Sequence, residues 1–284
     1  MKNKVSLITR DHDAAFEAFA GIAPKASRRK RITSHVTKTV TRVKPKDGFS
    51  QIVHIILVTL LPIVIYVFIR LDFPQIAVTL VLLSKWRMFS VKLRHWPANI
   101  RANAVDIIVG ISVVMFMNRT DSVGIQLIWV VLYALWLLVV KPKSEVLWVA
   151  MQAIIGQTAG LMALYSVFGG AQAASLVFAT ALLCYFAARH FFSSFDESMG
   201  RTIAYVWAYF SASIAWLLAH WLIYYGIVAQ PVLVLSVVGY SLAGMYYLRH
   251  TDKLSKGVQQ QFIVVLSAIL IVVLVFSDWG DKTL

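Results

Sequence analysis

The chain has 284 residues, 59% of them hydrophobic and only 14% charged, with a mean hydropathy of +0.73. A soluble domain carries about 25% charged residues, so this composition excludes a soluble globular fold and indicates a polytopic membrane protein. The net charge of +14 would suggest nucleic acid in a soluble protein; here it reads as the Lys and Arg excess of cytoplasmic membrane-protein segments, and nucleic acid is not an expected partner.

The first 50 residues are polar and basic, and no cleavable signal peptide is expected there. Residues 13–21, "DAAFEAFAG", predict a short helix with Asp13 as N-cap and Gly21 then Pro24 as the stop. Lys25, Arg28, Arg29, Lys30, Arg31, Lys38, Arg42, Lys44 and Lys46 follow with no acid among them. Such a run is largely disordered by itself and suits anionic lipid headgroups or a cytoplasmic protein partner.

Nine apolar segments come next, near 51–69, 73–89, 102–117, 123–140, 146–168, 171–188, 203–226, 231–248 and 260–277. Roughly 20 residues cross a bilayer. The second segment spans only if Lys85 and Arg87 snorkel to the headgroups. With nine spans and the N-terminus inside, 24 Lys and Arg lie inside and three outside; if the second segment is re-entrant the split is 14 to 13. The charge bias therefore favours nine spans, N-terminus in and C-terminus out. The predicted fold is an all-α integral membrane protein, with a tail (1–50) and a transmembrane domain (51–284). A bacterial-type plasma membrane is the favoured location.

Between the second and third segments, "KWRMFSVKLRHWP" puts Trp86, Phe89, Leu93 and Trp96 on one helical side. This predicts an interfacial amphipathic helix whose Lys85, Arg87, Lys92 and Arg94 meet anionic headgroups. The third segment carries the one carboxylate placed inside a span, Asp106. It lies five residues beyond Arg101, about 7.5 Å deeper along a helix. Asn99, Asn103, Asp106 and Gly110 share a face. An ionised Asp facing lipid there would cost a few kcal/mol, so it should face the bundle. Its role is either a helix–helix hydrogen bond or a gate or solute contact at the inner end of a pathway.

In the fifth segment, "GQTAG" sets Gly156 and Gly160 at GxxxG spacing, which lets two helices approach closely. In the sixth, Cys184 is the chain's single cysteine and reads as an inert small hydrophobe. The seventh carries a stripe of Tyr205, Tyr209, Ser213, Trp216 and His220 at steps of three and four. It could line a substrate path if it faces inward, or form an interfacial aromatic belt.

No HExxH, GxSxG, Walker or GxGxxG motif occurs, so no catalytic residue, metal site or cofactor is assigned. The best reading is a transporter or permease, because many helices joined by short loops come with no soluble catalytic domain; the near absence of ionisable groups within the spans counts against ion coupling, so its solute should be small and neutral or lipid-like. The alternatives are a membrane scaffold or assembly subunit acting through its basic tail, and an intramembrane lipid-modifying enzyme using the polar 189–201 loop.

Overall fold

The computed structural model describes residues 49–86, 92–195, 197–219, 224–225 and 228–277, with side chains omitted at 49–54 and 224–225. The tail expectations, including the 13–21 helix and the basic residues from Lys25 to Lys46, lie outside these residues, as do Arg87 and His220. The chain divides into two units, Met1–Val53 and His54–Leu284. Of the first, only residues 49–53 are described.

Nine apolar helices occur among the described residues, one at each segment marked by the sequence. We label them α1 (Phe49–Arg70), α2 (Pro74–Leu83), α3 (Trp96–Asn118), α4 (Val123–Leu135), α5 (Val146–Phe168), α6 (Ala173–Phe191), α7 (Gly200–Ala219), α8 (Gln230–His250) and α9 (Lys256–Phe276). Seven helices, α3 to α9 with their flanking turns, are long and apolar enough to cross a membrane; α2 and the described side chains of α1 (Ile55–Arg70) fall short of that length. The protein is thus a helical membrane protein with several membrane-crossing helices. Lipid cannot satisfy backbone N–H and C=O groups, which is why each apolar run becomes a helix.

Helix α3 is the hub. Half of its most apolar window is buried, against 6% for α9 at the periphery. Lipid tails are as apolar as Leu, so helices associate in a bilayer through close packing and polar contacts rather than the hydrophobic effect. Both appear along α3. A Cβ on Gly156 would come within 2.7 Å of Val105 Cγ1, and one on Gly160 within 2.7 Å of Ile108 Cγ2. The two glycines therefore let α5 lie directly against α3. A Cβ on Gly110 would meet Val81 Cγ1 at 2.6 Å and the Tyr133 hydroxyl at 2.7 Å, so the opposite side of α3 takes α2 and α4 as closely.

Several boundaries differ from expectation. Helix α3 begins at Trp96, with Pro97 in its first turn, where the missing N–H costs nothing; the predicted interfacial helix falls largely on residues 87–91, outside those described. The described part of the seventh helix is Gly200–Ala219, and the predicted segment does not stay helical to 226. Tyr224–Tyr225 instead pairs antiparallel with Val228–Ala229, consistent with aromatic and β-branched residues on either side of a glycine. Two helices end with an aspartate in the left-handed region, Asp72 at φ 63° and Asp252 at φ 55°. In each case the next N–H reaches back to a carbonyl five residues earlier, Phe73 to Phe68 at 2.9 Å and Lys253 to Leu248 at 2.8 Å. That is the Schellman closure, with Asp in the place usually held by Gly.

Helix α4 does not end regularly. Residues Trp136–Val140 form a π turn, closed by the Lys141 N–H on the Trp136 carbonyl at 2.9 Å. In a regular helix two residues five apart point about 140° away from each other. The wider π turn brings Trp136 and Lys141 toward one side, the side of α3.

Candidate functional site

Asp106 is 7% exposed and sits where α2, α3 and α4 converge. One carboxylate oxygen, Oδ1, accepts the indole N–H of Trp136 at 2.9 Å. The other, Oδ2, pairs with the ammonium groups of both Lys85 and Lys141, the latter at 2.5 Å. Lys85 is as buried as its partner, at 8%, whereas the Lys141 side chain is 38% exposed. The snorkelling expected of Lys85 is thereby corrected. It turns inward because an unpaired carboxylate at this depth would cost more than the reach of a lysine stem. Lys92 and Arg94, by contrast, stand exposed before α3.

The polar face predicted on α3 does not gather as a unit. Asn103 turns back and donates to the Asn99 carbonyl of its own helix at 2.9 Å. Beside the ion cluster, Gln152 of α5 donates to the Val140 and Lys143 carbonyls at 2.7 and 3.0 Å, satisfying the frayed end of α4. Its amide oxygen meets His190 Nε2 at 2.9 Å. These contacts bring the ends of α2, α4 and α6 together with the beginnings of α3 and α5.

A second feature lies on the other side of α5. A cavity of about 250 Å³ opens between α5, α6, α7 and α8, lined by Gln157, Thr158, Trp207, Ser236, Tyr240 and Tyr246 among apolar side chains. Among the described residues, no charged side chain lines it. Gln157 is fixed within it, donating to the Leu235 carbonyl at 3.1 Å and accepting the Trp207 indole N–H at 3.0 Å. The Ser236 hydroxyl is buried without a hydrogen-bond partner among the described residues. A second space of about 460 Å³ between α5, α8 and α9 shares Ile154, Thr158, Ser236 and Tyr240 with the first. Tyr240 is 56% exposed, so the pair of cavities opens sideways out of the bundle. Asp106 lines neither.

The stripe on α7 is corrected as a pathway lining. Tyr205, Tyr209 and Trp216 are 50%, 76% and 54% exposed, and Ser213 is exposed with them. The inward positions are Ala204, Ala208, Ser211 and Ala215. Small residues are what a helix presents to its neighbours in a bilayer, leaving aromatic side chains to the lipid side. The residues that sequence reasoning missed are Lys141 and Trp136 around Asp106, and Ser236 and Trp207 in the cavity. A signal existed for the lysine, as the first cation after the apolar run of α4. Nothing in the sequence marked Ser236.

No protein-family model matches this chain, and no curated protein and no solved structure matches it.

Proposed function

We propose that the protein is a permease-like carrier of a small neutral or lipid-like solute, with its binding site in the cavity between α5, α6, α7 and α8. The observation that carries this reading is the buried, unpartnered Ser236 hydroxyl in a largely apolar cavity whose described lining carries no charge. An orphaned buried hydroxyl costs about 1–3 kcal/mol, and a ligand with one polar group and an apolar body would satisfy it. The absence of charge from the lining favours a neutral ligand, since a cation or anion would find no counter-charge there. The lateral opening at Tyr240 suits a molecule that arrives from the lipid phase.

On the same reading all nine helices cross the bilayer, with the N-terminus cytoplasmic and the basic tail resting on anionic lipid or a cytoplasmic partner. The antiparallel register of α2 on α3 supports it, since Val81 meets Gly110 and Lys85 meets Asp106, so α2 runs alongside the next crossing helix. Reporter fusions after residues 72 and 96 should then report outside and inside.

The cavity is tested by solvent extraction of the purified protein followed by uptake of the recovered compound into proteoliposomes. A neutral solute should co-purify with the wild type, be depleted by the cavity-filling Ala243→Phe, and enter vesicles only with the wild-type protein. Equal recovery from both proteins would dismiss the cavity as the binding site. Recovery without uptake would dismiss the carrier reading while leaving the binding site in place.

A further inference from the structure

Arg201 lies on one of a stacked pair of tyrosines, and two further arginines, Arg101 and Arg189, share that end of the bundle. The rings of Tyr185 (α6) and Tyr205 (α7) stack with centroids 4.9 Å apart and 27° between their planes. The Arg201 guanidinium lies 5.7 Å from the Tyr205 ring centre, with Nη2 3.4 Å from its hydroxyl. Helix register places Arg101 and Arg189 at the same end of the bundle. Helices α3 and α6 face each other across an apolar crevice with Ile108 and Met115 on one wall and Leu182 and Phe186 on the other. About two turns from Ile108 toward the basic end lies Arg101, and one turn from Phe186 in the same direction lies Arg189.

Guanidinium groups sharing one end of a bundle favour an anion among them. No described carboxylate is within ion-pair distance of the three, both described ion pairs being those on Asp106. Glu197, in the loop joining α6 to α7, is engaged elsewhere: it accepts the Tyr246 hydroxyl at 2.8 Å and the Met199 N–H at 3.1 Å. The Nε of Arg189 is buried and has no hydrogen-bond partner among the described residues. Arg201 is exposed and Tyr205 half-exposed, so the group opens onto the outer surface of the bundle at the level where its helices end. That is the level of lipid phosphates.

We propose that Arg101, Arg189 and Arg201, with the Tyr185 and Tyr205 hydroxyls, form a binding site for the phosphate of an anionic phospholipid. Guanidinium forks match phosphate oxygens in pairs, and the two hydroxyls add donors at the rim. The site is separate from the cavity between α5 and α8 and stands whether or not that cavity carries a solute.

The experiment is native mass spectrometry of the full-length protein in detergent, titrated with dioleoylphosphatidylglycerol or dioleoylphosphatidylcholine. One phosphatidylglycerol should remain bound under activation that strips phosphatidylcholine. Arg189→Gln with Arg201→Gln should weaken it about tenfold, the loss of two charge-assisted contacts. Should that pair fail to fold, as judged by gel filtration, the exposed Arg201→Gln alone should weaken it about threefold. A protein with Arg28, Arg29, Lys30 and Arg31 all changed to Gln should keep the adduct. Equal retention of the two lipids, unchanged binding in Arg201→Gln, or loss of the adduct in the tail variant would each overturn the proposal. Complete displacement by millimolar inorganic phosphate would overturn the lipid assignment in favour of free phosphate.

Discussion

Changing Asp106 to Asn keeps an oxygen for the Trp136 indole but removes the charge that two lysines share. The consequence falls on Lys85, which is 8% exposed and would be left as a buried cation without a counter-ion. Breaking a buried pair by removing one partner costs about 3–5 kcal/mol, most of it the orphaned charge. Lys141, at 38% exposure, can turn to solvent and adds little. At about 2–4 °C per kcal/mol for a protein of this size class, the melting midpoint of the purified protein should fall by roughly 6–20 °C. Asp106→Ala should fall further, because the indole N–H also loses its charged acceptor, a bond of about 1.5–3 kcal/mol.

The decisive variant is the double one. Lys85→Met added to Asp106→Asn removes the orphan and should recover most of the lost midpoint, since an apolar replacement for a buried ion pair is often neutral. Midpoints from detergent-solubilised protein, read by loss of monodispersity on heating, give the full cycle. Additive losses in the double variant would refute the reasoning, as would an Asp106→Asn protein within 2 °C of wild type by the same scale. Because Asp106 lines neither cavity, the double variant should also retain whatever solute co-purifies with the wild type.

Gly156→Leu should force α5 away from α3, since even a Cβ there meets Val105 at 2.7 Å; overpacking of this kind costs about 1–3 kcal/mol, and the thermal midpoint is the readout. Asp252→Gly should raise stability by up to about 1 kcal/mol, because glycine adopts the left-handed closure at φ 55° without Cβ strain. Glu197 is held below the ordinary carboxylate range by the Tyr246 hydroxyl and then by the Met199 N–H. Its folded pKa is the lower one, so its stabilisation is complete above the unfolded value near 4.5 and fades as pH falls through the folded value. The midpoint difference between wild type and Glu197→Gln should therefore be present at pH 7 and shrink below about pH 4.5, and a difference that grows on acidification would contradict the hydrogen-bond account.

The helices were legible because the bilayer leaves the chain so little freedom. An apolar run must close its own hydrogen bonds, so nine runs became nine helices with ends mostly within a few residues of the hydropathy edges. Contacts between runs were less accessible. The stripe of Tyr205, Tyr209, Ser213 and Trp216 invited an inward reading because, in water, a polar face and an apolar face sort to opposite sides. In lipid that sorting weakens, and residue size takes over: alanines and serines turn inward and the aromatics outward. The same rule made Gly156 and Gly160 recognisable as packing positions. The π turn at Trp136–Val140 had no sequence signal at all, and it is what brings Trp136 and Lys141 onto one side of α4.

Lys85 shows where counting charges and tracing contacts part company. A charge census assigns it to the headgroups, yet its ammonium group lies on Asp106. On the proposed nine-span topology, removing Lys85 and Lys141 from the tally still leaves ten cations inside beyond the tail, against three outside, so the proposed bias does not depend on them. What they add is register. On α2, Val81 meets Gly110 of α3 and Lys85, one turn later, meets Asp106, one turn earlier. The two helices therefore run antiparallel. Continued toward Pro74, that register carries α2 along α3 to about the level of Met117, near the far end. The ten-residue α2 thus runs beside most of the buried depth of its neighbour, and Lys85 supplies the last turn of reach. A lysine just past the end of an apolar helix here meets the buried acid of the next helix, with no need of the headgroups.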